Sequence, residues 1–369
     1  MGRHFESRGR PQVVFVGGFS DRHVRGGQVF ASRSLVASPL RGFVRWILID
    51  STMAEAPPPP IWVRLGMALG RVALLARALA TRPQLVILFV SAGPSFLEKT
   101  FMALCARLVG VPVLFCPRSG FVVDMAERSL LGRILIRIAA RISTAFVCQA
   151  QTWAAFYRDI EPSCRTFVIP NFIDEAPYLS IAARPPDAYP MFLFLGSIEI
   201  NKGVYDLVAA AELLVADGRK FSILMGGSGG EVERLRARLS SSPARESVHL
   251  LGLVGMPLKM DLLARCSAVV LPSYREGFPN VVLEAMAAAR PVAVTRAGAL
   301  PELVEHGRNG LVSDCGDPQG LAQSLAYLMD EPAAATQMGL DGRSRISRRY
   351  SLHDQWRHWH EAINSLLDE

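Results

Sequence analysis

Short, unbroken apolar runs alternate along the chain with longer segments whose apolar positions recur at helical spacing. Residues 13–16 form the first run and end in Gly17-Gly18, the pattern of a buried strand that breaks into a loop. Further strands are predicted over 44–50, 85–90, 113–116, 145–148 and 167–169, and helices over 28–37, 61–80, 98–109 and 130–142. Near-continuous Val/Ile/Leu runs are what strands covered on both faces look like. Their alternation with helices implies βαβ units and a parallel sheet. The prolines at 57–60 read as a stiff loop. The segment 175–190 carries Pro177, Pro185, Pro186 and Pro190 and reads as a linker. The pattern then restarts. Strands are predicted over 191–195, 221–225, 249–251, 268–271 and 292–294. Helices are predicted over 204–215, 231–239, 260–265, 281–289 and 320–329, with a last helix over 352–367.

The fold class is therefore α/β, with two Rossmann-like α/β/α domains. The predicted boundaries are 1–174 for the first domain, 175–190 for the linker and 191–350 for the second domain. A C-terminal helix, 351–369, can pack back on the first. The length of 369 residues fits two domains. Ligands in such folds sit outside the carboxyl ends of strands, so an interdomain cleft is the expected site.

Composition narrows the class. With 50% hydrophobic and 20% charged residues the chain has ample apolar surface to offset its entropy, which excludes a disordered protein. The six cysteines show no C-x-x-C spacing and mostly sit in apolar runs, so a reducing cytosol is expected rather than a disulfide framework. The first ten residues are charged and lack the apolar core of a signal peptide. No uncharged run reaches the roughly 20 residues that span a bilayer. The chain should be soluble and cytoplasmic, or at most bound to a membrane surface.

Charge is unevenly spread. Residues 1–175 hold 21 basic and 11 acidic residues, a surplus of +10, whereas 176–369 hold 19 and 22, a balance of −3. Only four of the 40 basic residues are lysines: Lys99, Lys202, Lys220 and Lys259. A lysine in a special place is therefore informative.

The richest segment is 272–285, PSYREGFPNVVLEA. Gly277 and Pro279 interrupt the pattern after a strand, Asn280 can cap a helix, and the helix then runs through Glu284. Glu276 falls in the loop at the strand's carboxyl end, eight residues before Glu284. The helix N-terminus offers free N–H groups and partial positive charge. Two glutamates at that spacing alone are weak evidence, and a solvated charge is the ordinary reading for Glu284.

The full string EGFPNVVLEAMA resembles the E-x7-E segment of retaining glycosyltransferases of family 4, the group 1 type with the GT-B fold. That fold has two Rossmann-like domains whose parallel sheets face across a central cleft. The resemblance extends through Leu195-Gly196, the NKGVYDL string at 201–207, the glycines at 226–230, Leu251-Gly252, and Gly298, Pro301, Glu302 and 306–311. In the first half it is thinner: Gly26-Gly27 is similar to the family's first glycine loop, and 168–174 to its end-of-domain string.

The resemblance implies roles. Glu284 accepts hydrogen bonds from the ribose hydroxyls of a nucleotide. Glu276 contacts hydroxyls of the transferred sugar, flanked by the N–H groups of Gly277, Phe278 and Asn280. Pro279 has no N–H to give. Lys202 meets the diphosphate, where charge grows as the leaving group departs. Ser197 and Val254 line the donor side, Val254 in the loop near the nucleobase. Gly26 and Gly27 approach the phosphate or the acceptor, or simply make a tight turn. Two departures stand out. Ser197 occupies the place of a usual arginine, and the strand 113–116 leads into Arg118 and Ser119 where many members carry a histidine. Arg118 is then a candidate for an anionic acceptor, or an ordinary surface arginine.

No D-x-D occurs, so neither a metal nor another cofactor is expected. The implied reaction is a front-face displacement in which the protein supplies positioning and electrostatics. The expected partners are a nucleotide-sugar donor, such as a UDP-sugar, and a glycan or lipid-linked acceptor, in polysaccharide, lipopolysaccharide or glycolipid synthesis. Arginines 133, 137 and 141 form a stripe on one predicted helix, and Arg64 and Arg71 a pair on another. Such faces can lie on anionic lipid or be ordinary solvated faces. Nothing supports nucleic acid as a partner. The competing functions are a GT-B-like nucleotide-sugar epimerase and an inactive sugar-nucleotide-binding scaffold. A nicotinamide dehydrogenase is disfavoured, because Gly17-Gly18 lacks the full G-x-G-x-x-G.

Overall fold

A computed structural model describes residues 10–20, 27–52, 59–181 and 189–367. Two compact units divide the chain: Met1–Asn171 with His353–Glu369, and Phe172–Leu352.

In the first unit, β1 (Gln12–Gly17), β2 (Arg45–Asp50), β3 (Leu85–Val90), β4 (Val113–Pro117), β5 (Ala145–Cys148) and β6 (Thr166–Val168) form one sheet in the order β2-β1-β3-β4-β5-β6. Every pairing in it is parallel. Alternate side chains point to opposite faces. Val14 and Val16 of β1 join a core with Leu75, Met102 and Ile136, while Val13 and Phe15 join a second core. The C-terminal helix Leu352–Leu367 fills that second core with Trp359, Ala362, Ile363 and Leu366.

In the second unit, β7 (Met191–Leu195), β8 (Ser222–Gly226), β9 (Val248–Gly252), β10 (Ala268–Leu271), β11 (Val292–Thr295) and β12 (Leu311–Ser313) form another parallel sheet. Its order is β12-β11-β10-β7-β8-β9. The chain runs outward from β7 on one side and from β10 on the other, so β7 and β10 flank the topological switch point.

Several elements differ from the sequence reading. The predicted helix at 98–109 begins earlier, as Pro94–Leu108, because Gly93 turns at φ +70 and Pro94 takes the first helical position. Helices Val122–Arg128, Gln151–Ile160, Leu300–Leu303 and Pro332–Arg349 and strand β12 were not anticipated. The Pro332–Arg349 helix buries Ala335, Met338, Gly339, Gly342 and Ile346, a helical spacing made mostly of small residues that hydropathy does not register. Within the predicted linker 175–190, Ala176–Leu179 forms a helical turn, while 182–188 fall outside the described residues, as do Pro57 and Pro58 of the predicted stiff loop. All six cysteines are free thiols.

Candidate functional site

Two loops meet at the switch point of the second unit. The loop after β7 passes through Gly196 and exposed Ser197 into a short 3-10 turn, Ile200–Lys202. Gly203 then adopts φ +67 and starts the helix Val204–Ala216. A Cβ on Gly203 would overlap the Pro272 carbonyl, so only glycine lets this loop close on the one after β10. The Tyr274 N–H donates to the Asn201 carbonyl at 2.8 Å and locks the two loops together.

That closure sets Lys202 against Glu276. Lys202 Nζ lies 2.6 Å from Glu276 Oε1, and the Ser273 hydroxyl donates to the same oxygen at 2.6 Å. Glu276 is buried and Lys202 partly exposed. The ammonium thus stands at the rim, with a carboxylate behind it.

A third loop braces the first. Gly227, at φ +154, sits where any side chain would collide with the Gly196 carbonyl, and the Ile198 N–H donates to the Ser228 carbonyl at 3.0 Å. Half-buried Val254 follows β9 and rests over Gly226.

Glu284 is in the helix Asn280–Ala287, whose N-cap is Pro279 rather than Asn280 as predicted. Asn280 already has helical conformation, and the Val282 N–H is taken by the Pro279 carbonyl. Glu284 is not a solvated charge. Its Oε1 accepts from Lys259 Nζ at 2.8 Å, and it also pairs with the Tyr178 hydroxyl. Lys259 lies 5.7 Å from the centre of the Tyr178 ring. Burial, together with the charge and hydrogen bond of Glu284, pushes the Tyr178 phenol up. Sequence reasoning missed Lys259 and Tyr178. The one available signal was that Lys259 is among four lysines in an arginine-rich chain. Gly277, Phe278 and Asn280 follow Glu276 directly, with Phe278 buried at 5.6 Å from the Tyr350 ring.

The remaining candidates belong to the first unit. Arg118 follows β4, and its backbone N–H donates to the Val90 carbonyl at 2.8 Å. Its guanidinium lies 4.2 Å over the Phe89 ring, with Nη1 shielded from solvent and lacking a hydrogen-bond partner. Burial pushes this guanidinium down to about 10. It is therefore not an ordinary surface arginine. The Ser119 hydroxyl accepts from the Phe121 N–H at 3.3 Å, which turns the chain into the next helix. Gly27 opens the helix Gly27–Ala37, and Gly26 lies outside the described residues.

The arginine stripes are corrected in part. Arg71 makes a two-pronged pair with Glu98, and Arg141 pairs with Glu161 at 2.7 Å, with Arg137 at 3.8 Å from the same carboxylate. Among the described residues no group of three or more His, Cys, Asp or Glu side chains is placed to hold a metal ion.

Comparison with known proteins fits this geometry. Residues 189–331 match the family model of glycosyl transferases group 1. Glycogen synthase of Mycobacterium tuberculosis is 32% identical over 180 residues, covering 49% of this chain and 44% of that protein. The chain spans about half the length of the curated relatives it matches. Sucrose-phosphate synthase of Thermosynechococcus elongatus has a TM-score of 0.81 at 18% identity, covering 97% of this chain and 100% of that chain. Anabaena HepE, solved in complex with UDP, has a TM-score of 0.75 at 18% identity, covering 96% and 100%. The chain thus has the two-domain α/β architecture of the GT-B fold, and residues 189–331 of it match the group 1 glycosyl transferases.

Proposed function

We propose that the protein is a retaining glycosyltransferase of family 4 that moves a sugar from a nucleotide-sugar donor to a glycan or lipid-linked acceptor at the inner face of the cell membrane. The observation that carries this reading is the Lys202–Glu276 pair at the switch point of a unit that matches group 1 glycosyl transferases. UDP bound to HepE supports a uridine nucleotide as the donor's leaving group.

The roles follow from chemistry. Lys202 meets the diphosphate, and its charge counts for more as the leaving group becomes more negative. The N-terminus of the Asn280–Ala287 helix adds N–H dipoles of the same sign. Glu276 Oε1 is occupied by Lys202 and Ser273, which leaves Oε2 to accept sugar hydroxyls. Glu284 accepts from the ribose, with Lys259 and Tyr178 fixing its rotamer. Ser197 provides a hydroxyl in place of a cation, so Lys202 carries more of the diphosphate charge. Arg118, a partly exposed cation directly after β4, suits an anionic group on the acceptor. No metal is assigned a role, because the lysine and the helix N-terminus already answer the leaving-group charge.

A thermal-shift screen against nucleotide sugars tests the reading, since a ligand bound only by the folded state raises the melting temperature. A UDP-sugar should stabilise the wild type and do so less in Glu284→Ala. No response to any nucleotide or nucleotide sugar would refute it. Saturable binding without transfer or hydrolysis would favour the scaffold, and interconversion of the donor sugar the epimerase. Activity lost in chelator and restored by manganese would overturn the metal-free mechanism.

A further inference from the structure

Three neighbouring helices, Ile61–Leu79, Pro94–Leu108 and Leu130–Ile142, cover one face of the first sheet and share its core. Their outward sides are not polar. The first of them buries only Leu75 and Ala78 in nineteen residues. Trp62 is 71% exposed and Leu69 70%, with Ile61 and Leu65 exposed beside them. Leu97, Phe101 and Leu108 are exposed on the second helix, and Leu131, at 77%, with Ile134 and Ile138 on the third. Single exposed leucines are ordinary, but a patch drawn from three adjoining helices marks an interaction surface.

The charge on this face has one sign. The three helices contain a single acid, Glu98, and both Arg71 and Lys99 hold it. Arg64, Arg77, Arg107 and Arg133 have no carboxylate partner among the described residues. A second copy of the chain is a poor occupant, because a two-fold interface sets this patch against itself and brings arginines against arginines. Anionic headgroups supply the missing charge, and acyl chains receive the tryptophan and leucines. Among the described residues no helix is long and apolar enough to cross a membrane.

We propose that this three-helix face docks on an anionic lipid bilayer. The proposal rests on the membrane-side acceptor in the reading above, and it assigns the docking to exposed apolar residues framed by unpaired arginines.

The test is co-sedimentation of the full chain with vesicles of phosphatidylcholine alone, or of equal parts phosphatidylcholine and phosphatidylglycerol. The chain should pellet with the mixed vesicles only, and less so as salt is raised. Trp62→Ser/Leu69→Ser and Arg64→Glu/Arg133→Glu should each lower binding by about tenfold, with melting temperature and UDP affinity unchanged. Failure to pellet with mixed vesicles, or equal pelleting with phosphatidylcholine alone, overturns the proposal. So does a concentration-dependent dimer, seen by sedimentation velocity, that Trp62→Ser/Leu69→Ser dissolves. UDP titration of the same samples separates the two readings: UDP binding without vesicle binding removes the docking surface alone, and vesicle binding without UDP binding removes the transferase alone.

Discussion

Lys202 Nζ and Glu276 Oε1 lie 2.6 Å apart although their residues are 74 positions apart in sequence, joined by loops from two adjacent strands. In the proposed function this pair anchors the donor site. Lys202→Ala should lower kcat for transfer by roughly a hundredfold to a thousandfold, as expected for loss of one electrostatic stabiliser of the departing charge. Glu276→Ala should lose as much by releasing the sugar. The double variant should lose far less than the product of the two, because the groups act as a unit. Steady-state kinetics on samples with matched melting curves checks this.

Gly203 allows the two loops to meet, so its replacement should cost both stability and activity. Gly203→Ala places a side chain at positive φ and into the Pro272 carbonyl, for a loss of at least about 2 kcal/mol. Gly218→Ala is the control: Gly218 has φ +71 but open space around it, so only the backbone cost of about 1 kcal/mol should appear, with no change in activity. Urea unfolding and donor titration of both variants separate the two effects.

At Glu284 the charge should matter more than the shape. Glu284→Gln keeps the size but weakens acceptance from Lys259, Tyr178 and ribose hydroxyls. A charged hydrogen bond contributes about 1.5–3 kcal/mol, so UDP affinity should fall about tenfold or more. Isothermal titration with UDP gives the number. An unchanged Kd would move the ribose elsewhere.

The buried ion cluster in the first unit predicts a pH effect unrelated to catalysis. Lys99 is only 2% exposed, and burial pushes its ammonium down against the pull of Glu98. Burial opposes the charge on Glu98 too, but Arg71 and Lys99 outweigh it and hold the carboxyl below its ordinary 4.5. A lowered folded value means the unfolded chain binds more protons in that window. Stability from Glu98 is therefore present above about 4.5 and is lost as pH falls through the folded value. Glu98→Gln should cost about 3 kcal/mol at neutral pH by stranding Lys99, and should flatten the acid limb of the stability curve. Lys99→Met, of similar volume, should cost much less. Thermal melts from pH 7 downward give the comparison.

Much of this was legible in the sequence where the signal was local. Strands β5, β7 and β10 and the helix Leu130–Ile142 follow from unbroken apolar runs or strong amphipathicity, and Glu276 and Lys202 from short motifs. The remainder depended on tertiary contact. The Pro332–Arg349 helix packs through glycine and alanine, so its buried face has little hydropathy to read. Tyr178 and Lys259 converge on Glu284 from segments 81 positions apart, and no spacing rule joins them. The stripe of Arg133, Arg137 and Arg141 and the pair of Arg64 and Arg71 read as free basic or solvated faces, because Glu98 and Glu161, which meet Arg71, Arg137 and Arg141, sit on other elements.

The most direct measurement is proton NMR of the sugar first released when the protein is incubated with a UDP-α-hexose without acceptor. The α-anomer should appear first, Lys202→Ala should abolish its appearance, and chelator should leave the rate unchanged. A β-anomer released first, or full activity in Lys202→Ala, would contradict a retaining transferase built on the Lys202–Glu276 pair.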